Sequence, residues 1–222
     1  MRPIDESKLD QKALVRRGYD QCATAYARAR QQETAPALSL LIPRLADGAR
    51  ILDVGCGAGV PVARALAERF DVTGVDLSGE MVSRARINVP EGAFVHADIM
   101  ALDVAPASFD AVVSFYAIFH IPRKEHVELF RRVHRWLKPG GYLLATLSDL
   151  DEPTYTEDDF FGVTMAWSGY SLQAYREMLA QTGFALLDTT DLGHGYADDS
   201  VAEEHHPLVL AQKQKEVRRR NG

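Results

Sequence analysis

Three carboxylates and three glycines are spaced so that they could share one ligand. Asp53, Gly55, Gly57 and Gly59 lie in Ile51-Leu52-Asp53-Val54-Gly55-Cys56-Gly57-Ala58-Gly59-Val60, an apolar run that breaks into alternating glycines. Such a turn lets backbone N–H groups come close to a bound molecule. Asp76 ends the next apolar run, Val72-Thr73-Gly74-Val75-Asp76-Leu77, and Asp98 ends a third, His96-Ala97-Asp98-Ile99. A carboxylate at the second strand tip can accept both hydroxyls of a ribose. The third Asp, with the N–H of Ile99, can read an adenine edge. Phosphate is a poor guest, because no Lys and no Ser/Thr follow the glycines as G-x-x-x-x-G-K-[ST] requires. The third glycine is also displaced from the G-x-G-x-x-G/A spacing of a dinucleotide site, and Asp53 would repel a pyrophosphate.

These acids need strands to bring their ends together. Ile51–Val54, Val72–Val75, Phe94–Ala97, Ala111–Phe115 and Tyr142–Leu147 read as short buried strands. Between them fall amphipathic helices over Pro61–Phe70, after Ser78 as N-cap, and over Glu125–Leu137, the last stopped by Lys138-Pro139-Gly140-Gly141. This alternation predicts right-handed βαβ units and a doubly wound parallel sheet, an α/β fold whose ligands bind at the strand C-termini. Ahead of the sheet, Leu9–Arg30 and Ala37–Leu45 read as helices of an N-terminal cap. Residues Asp149 to Gly169 are acidic and aromatic with little periodicity and read as an irregular lid. Ser171–Thr182 then reads as a helix, and Phe184–Thr190 and Leu208–Gln212 as the last strands. The expected division is one domain over 1–222: cap 1–48, core 49–148, lid 149–170, C-terminal helix and strands 171–213, and tail 214–222.

In these motifs the chain resembles the class I S-adenosylmethionine-dependent methyltransferases of the small-molecule type. LDVGCGAG is similar to their first motif, GVDLSGEM to the second and HADI to the third; Phe109–Ser114 and LKPGGYLLAT resemble the later ones. The resemblance runs from about Tyr19 to Lys213. It implies a Rossmann-like seven-stranded sheet of order 3-2-1-4-5-7-6 with the last strand antiparallel. It also implies S-adenosyl-L-methionine as cofactor and S-adenosyl-L-homocysteine as product. Gly55, Cys56 and Gly57 would pack against the methionine part, with Asp53 toward its ammonium and Ser114 beneath it. Asp76 with Leu77 would hold the ribose, while Met81, Asp98 and Ile99 would hold adenine. The run Arg17-Gly18-Tyr19-Asp20-Gln21-Cys22-Ala23-Thr24-Ala25-Tyr26 is similar to the family's YD-x-x-A-x-x-Y helix, so Tyr19 and Tyr26 are expected over the cofactor and Tyr26 near the reacting centre.

His120 follows the fourth strand, where the family presents its methyl donor, and is the candidate general base for an acceptor that must lose a proton. Trp167, Phe160, Phe161 and Tyr170 are candidate walls for an apolar acceptor. Glu203-Glu204-His205-His206 is a poor metal site, because adjacent His side chains on extended backbone point opposite ways. No metal is expected, although His206 is a candidate for the acceptor pocket.

Composition narrows the partners. A formal charge of −6 over 222 residues argues against gripping nucleic acid or an anionic membrane, and Lys213 to Arg220 reads as a solvated tail. The fourth-strand sequence Ser114-Phe115-Tyr116-Ala117 lacks the Asn/Asp-Pro-Pro-aromatic motif of base-methylating enzymes. Two distant cysteines, Cys22 and Cys56, suit a reducing cytoplasm and not arsenic methylation. The polar start has no signal-peptide core, and no run is long enough to span a membrane. The expected activity is methyl transfer to a small-molecule acceptor. A cofactor-binding protein without methyl transfer and, less well, a nicotinamide oxidoreductase are the alternatives. Acceptor identity and the choice between monomer and homodimer stay open.

Overall fold

The computed structural model describes residues 2–3, 9–29, 35–193 and 206–214. Its strands are β1 (Arg2–Pro3), β2 (Arg50–Val54), β3 (Asp71–Asp76), β4 (Ala93–His96), β5 (Phe109–Ser114), β6 (Leu137–Thr146), β7 (Glu152–Phe160), β8 (Val163–Gly169), β9 (Phe184–Leu192) and β10 (His206–Lys213). Its helices are α1 (Gln11–Ala29), α2 (Ala35–Leu38), α3 (Val62–Ala67), α4 (Gly79–Asn88), α5 (His126–Trp136) and α6 (Leu172–Gln181).

Seven strands form the large sheet in the order β4-β3-β2-β5-β6-β10-β9. Counted along the chain within that sheet, this is the expected 3-2-1-4-5-7-6. The pairs from β4 to β6 are parallel, and β10 runs antiparallel to both β6 and β9. Apolar side chains leave both faces. Ile51, Val72 and Val113 enter one core with α2, α3 and α4; Leu52, Val54 and Val112 enter the other with α5 and α6. That two-sided burial is why these strands read as continuous apolar runs. Helix α5 packs through Leu129, Phe130, Val133 and Trp136, all buried. Ser78 and Ser171 cap α4 and α6 by accepting from Met81 N and Ala174 N. Among the described residues no helix is long and apolar enough to cross a membrane.

Three expectations need correction. The helix expected over Ala37–Leu45 stops at Leu38 and resumes only as a 3-10 turn over Ile42–Arg44, because Pro43 has no N–H to continue it. The helix does end ahead of Lys138–Gly141, at Trp136, but the strand expected from Tyr142 already starts at Leu137, which pairs with Phe109. A Cβ on Gly141 would sit 2.8 Å from the Asp110 carbonyl, so this strand approach needs glycine.

The third correction is the largest. Residues 149–170 are not irregular: β7 and β8 form an antiparallel hairpin, and β1 pairs with β7 at Arg2↔Thr156. The hairpin turns at Phe161 and Gly162, both with positive φ (51° and 79°). Its inward side chain Met165 is fully buried with Val15 of α1, and Phe160 and Trp167 pack on that cluster. Helix α1 therefore lies between the small sheet and the large one.

Candidate active site

The C-terminal ends of β2, β3, β4 and β5 and the inner face of α1 enclose a cleft of about 1250 Å³, counted to its open mouth. Helix α1 contributes Tyr19 and Tyr26, and the turn after β2 contributes Asp53, Gly55, Cys56 and Gly57. The end of β3 adds Asp76 and Leu77 with Met81 behind them; the end of β4 adds Asp98 and Ile99; the β5 loop adds His120. Ser114 is the exception. It is buried away from the cleft, and its Oγ donates to the Val54 carbonyl at 3.0 Å, stitching β5 to β2.

The glycine turn hangs on β3. Gly55 N and Cys56 N both donate to the Val75 carbonyl, at 2.8 and 3.1 Å. Gly55 has φ +71°, and a Cβ there would run into that of Ala117, so the turn closes only with glycine. The Asp76 carboxylate is fixed from both sides: Gly57 N donates to Oδ2 at 2.8 Å and Ser78 N to Oδ1 at 2.8 Å. Each oxygen keeps a further lone pair for a ligand hydroxyl. Burial pushes the Asp76 carboxyl above its ordinary range, against the pull of those two N–H groups.

Asp53 is 2% exposed, and its Oδ2 has no partner. Burial, and then the charge of Asp76, push its carboxyl up to about 7. An unpartnered buried acceptor at a cleft wall is costly unless a donor arrives with the ligand. Both thiols are inert: burial holds Cys56 well above its usual range and pushes Cys22 up to about 11.

At the other end, His120 Nδ1 lies 3.0 Å from the Ala166 carbonyl and Nε2 lies 2.8 Å from Tyr19 Oη. A carbonyl can only accept, so in the neutral ring Nδ1 carries the hydrogen and Nε2 accepts from the Tyr19 hydroxyl. Tyr19, expected only as a cofactor contact, is thus the phenol that meets His120. Tyr26 lines the cleft beside it and packs its ring against Tyr19, Phe160 and Phe161, at 5.1, 5.8 and 5.6 Å. Tyr116 reaches the cleft wall with φ +56°, its N–H held by Thr146 Oγ1.

Other expectations land elsewhere. Phe160, Phe161 and Trp167 back the α1 tyrosines and His120 from the hairpin side without lining the cleft. Tyr170 lies under the Arg123 guanidinium, 4.2 Å from ring centre to Cζ, away from the cleft. His206 stacks on Phe119 and meets Tyr116 edge-on. Glu203, Glu204 and His205 fall outside the described residues. Among the described residues no group of three or more His, Cys, Asp or Glu could hold a metal ion.

Sequence reasoning missed Lys12, Arg16 and Gln11. Lys12, Val15, Arg16, Tyr19, Tyr26 and Ala27 all line the cleft, and their i, i+3, i+4, i+7 spacing on one face of α1 was the available signal. Gln11 is buried; its Nε2 donates to the His120 carbonyl at 3.1 Å, and its Oε1 accepts from Thr154 Oγ1 at 3.2 Å.

Residues 51–141 match the family described as a methyltransferase domain. The chain is 38% identical over 149 residues to phosphoethanolamine N-methyltransferase 3 of Arabidopsis thaliana, covering 63% of this chain and 29% of that one. It is 34% identical over 151 residues to 27-O-demethylrifamycin SV methyltransferase of Amycolatopsis mediterranei, covering 63% of this chain and 55% of that one. The chain thus spans less than two thirds of each of these relatives. Magnesium protoporphyrin IX methyltransferase of Synechocystis PCC 6803, solved with S-adenosylmethionine bound, superimposes with a TM-score of 0.71 at 16% identity, over 94% of this chain and 100% of that one. The fold is that of the class I S-adenosylmethionine-dependent methyltransferases.

Proposed function

We propose that this chain, whose residues 51–141 belong to the methyltransferase domain family, moves a methyl group from S-adenosylmethionine to a small-molecule acceptor. The observation that carries this reading is the pair of carboxylates at the ends of β2 and β3, Asp53 buried and Asp76 half-buried. Asp76 is preset by two backbone N–H groups with lone pairs to spare, and Asp53 holds an orphaned oxygen beside it. This set of acceptors suits a ribose diol and an ammonium group, and it repels a pyrophosphate. When bound, the cofactor supplies a methyl already activated on a sulfonium. The residues have correspondingly little covalent work to do.

Their task is to align, to exclude water and to take a proton where the acceptor must lose one. Met81 and Ile99 give the adenine end apolar walls. Rings from Tyr19 and Tyr26 close the cleft from α1 and tolerate positive charge at their faces. His120 is oriented by the Ala166 carbonyl so that Nε2 is the basic nitrogen. A proton leaving an acceptor would pass to the Tyr19 oxygen as the Tyr19 proton passes to His120 Nε2. In this reading residues 1–222 act as one catalytic unit in the cytoplasm. The net charge of −6 supports an acceptor other than nucleic acid or a membrane surface.

Calorimetric titration of ligand-free protein with S-adenosylmethionine, S-adenosylhomocysteine and NADH tests the reading. Micromolar binding of the sulfonium and its product is expected, with no heat from NADH. Asp76→Ala should weaken both by roughly 100-fold, the worth of charge-assisted bonds to a carboxylate held in place by two backbone N–H groups. Binding of NADH alone would overturn the assignment.

A further inference from the structure

Lys12, in the first turn of α1, does more than line the cleft. Its Nζ lies 2.8 Å from Asp98 Oδ2, at the end of β4, and 2.5 Å from Glu125 Oε2, in the turn that leads into α5. The three side chains are about one quarter to one third exposed (25%, 30% and 27%), while the Glu125 Oε2 that faces Lys12 is itself shielded from water. Asp98 Oδ1 accepts from Met100 N at 2.9 Å. Without Lys12, the Asp98 carboxylate at the cleft and the Glu125 carboxylate just outside it would stand near each other with no cation between them.

The same helix is tied down again further along. Asp20 Oδ1 accepts from Ser78 Oγ at 2.6 Å, at the end of β3, and Thr24 Oγ1 accepts from Arg84 at 2.6 Å, on α4. Between these anchors run Val15, Arg16 and Tyr19, the residues that roof the cleft. A ligand the size of a nucleoside seated on Asp76 and Asp98 therefore lies under a bar fastened on both sides.

We propose that the Lys12 bridge to Asp98 and Glu125 is a clasp that holds α1 over the adenine end of the cleft and sets the rate at which the bound nucleoside leaves. The proposal rests on the cofactor reading above. Each Asp98 oxygen accepts one hydrogen bond in the structure and has capacity for another, so the clasp and a ligand N–H can use the carboxylate together. Departure then requires the first turn of α1 to lift and both ion pairs to break, and entry past the closed clasp crosses the same opening.

Stopped-flow displacement of S-adenosylhomocysteine from wild type, Lys12→Met, Lys12→Arg and Glu125→Gln separates the two rates. Lys12→Met should raise the dissociation rate about tenfold and the association rate with it, leaving the dissociation constant within about threefold of wild type. Lys12→Arg should restore wild-type dissociation, and Glu125→Gln should fall between. Raising salt from roughly 0.05 to 0.5 M should speed dissociation from wild type and leave Lys12→Met unchanged. Unfolding midpoints of the four proteins establish that each is folded at the assay temperature. Dissociation from Lys12→Met within twofold of wild type, or a loss of affinity carried by association alone, would overturn the clasp. If wild type binds no S-adenosylhomocysteine, the cofactor reading itself fails and the clasp with it.

Discussion

Asp53 joins charge state to ligand binding through one orphaned oxygen. Its carboxyl is held at about 7 by burial and by Asp76, so near neutrality it is divided between acid and carboxylate. A ligand ammonium pairs only with the carboxylate, and binding must therefore pull the proton off. The sign follows directly: affinity should rise with pH through 7 and level off above it. About a tenth of the sites are ionised one unit below the midpoint and about nine tenths one unit above it. The dissociation constant of S-adenosylhomocysteine should thus fall about tenfold from pH 6 to pH 8. Asp53→Asn should bind more weakly with a flat profile over that range, and a slope that survives the substitution would locate the titrating group elsewhere. The strand-end acids could be found from sequence because a carboxylate closing an apolar run stands out. The α1 spacing could have put Lys12 on the cleft face, but its pairing with Asp98 could not be read, because nothing near it in the chain announces a partner 86 residues away.

At the level of elements, the site depends on how closely α1 approaches the hairpin. They meet at Gly18, where a Cβ would lie 2.8 Å from Met165 Cε and 3.4 Å from the Thr164 carbonyl. The Met165 tip is flexible and can yield to a methyl group, while the higher helix propensity of alanine offsets the crowding by up to about 1 kcal/mol. Gly18→Ala should leave cofactor affinity within about twofold. Gly18→Ile has no such way out and must push α1 off β8, carrying Tyr19 away from His120. We expect it to cost about 1–3 kcal/mol in urea unfolding and to weaken S-adenosylhomocysteine in titration. Equal affinities for the two variants would mean that α1 does not need this contact. The hairpin that supplies it was hidden in the sequence by Glu157-Asp158-Asp159, a run that suits a loop better than a strand. The alternation of Val163, Met165 and Trp167 was there to be read. Its meaning depended on a partner face, α1, that lies far upstream.

For the whole molecule, the parallel sheet was legible because strands buried on both faces must be apolar throughout, and such runs are hard to mistake. The buried groups that tune its stability were not legible, since their partners come from separate elements. His126 is fully buried on α5. Its Nε2 donates to the Ile121 carbonyl at 2.9 Å, and its Nδ1, 3.0 Å from Tyr175 Oη, is left as acceptor. Burial, with the Arg123 charge adding to it, lowers the ring to about 4. The unfolded chain therefore takes a proton near 6.5 while the fold refuses it until about 4, and His126 costs stability as pH falls through that window. Asp53 acts with the opposite sign. Its raised carboxyl keeps a proton that the unfolded chain has lost, so its contribution is full below about 4 and is lost as pH rises toward 7. Each effect amounts to about 3–4 kcal/mol, and over pH 4 to 6.5 they nearly cancel. Urea unfolding across that range should consequently give a flat profile for these two groups in the wild type. Asp53→Asn should lose stability on acidification by about 3 kcal/mol more than wild type, and His126→Gln should gain by a similar amount relative to wild type. Saturating S-adenosylhomocysteine, by holding Asp53 as carboxylate, should make the wild type resemble Asp53→Asn. Parallel profiles for all three proteins would show that neither buried group controls the response to acid.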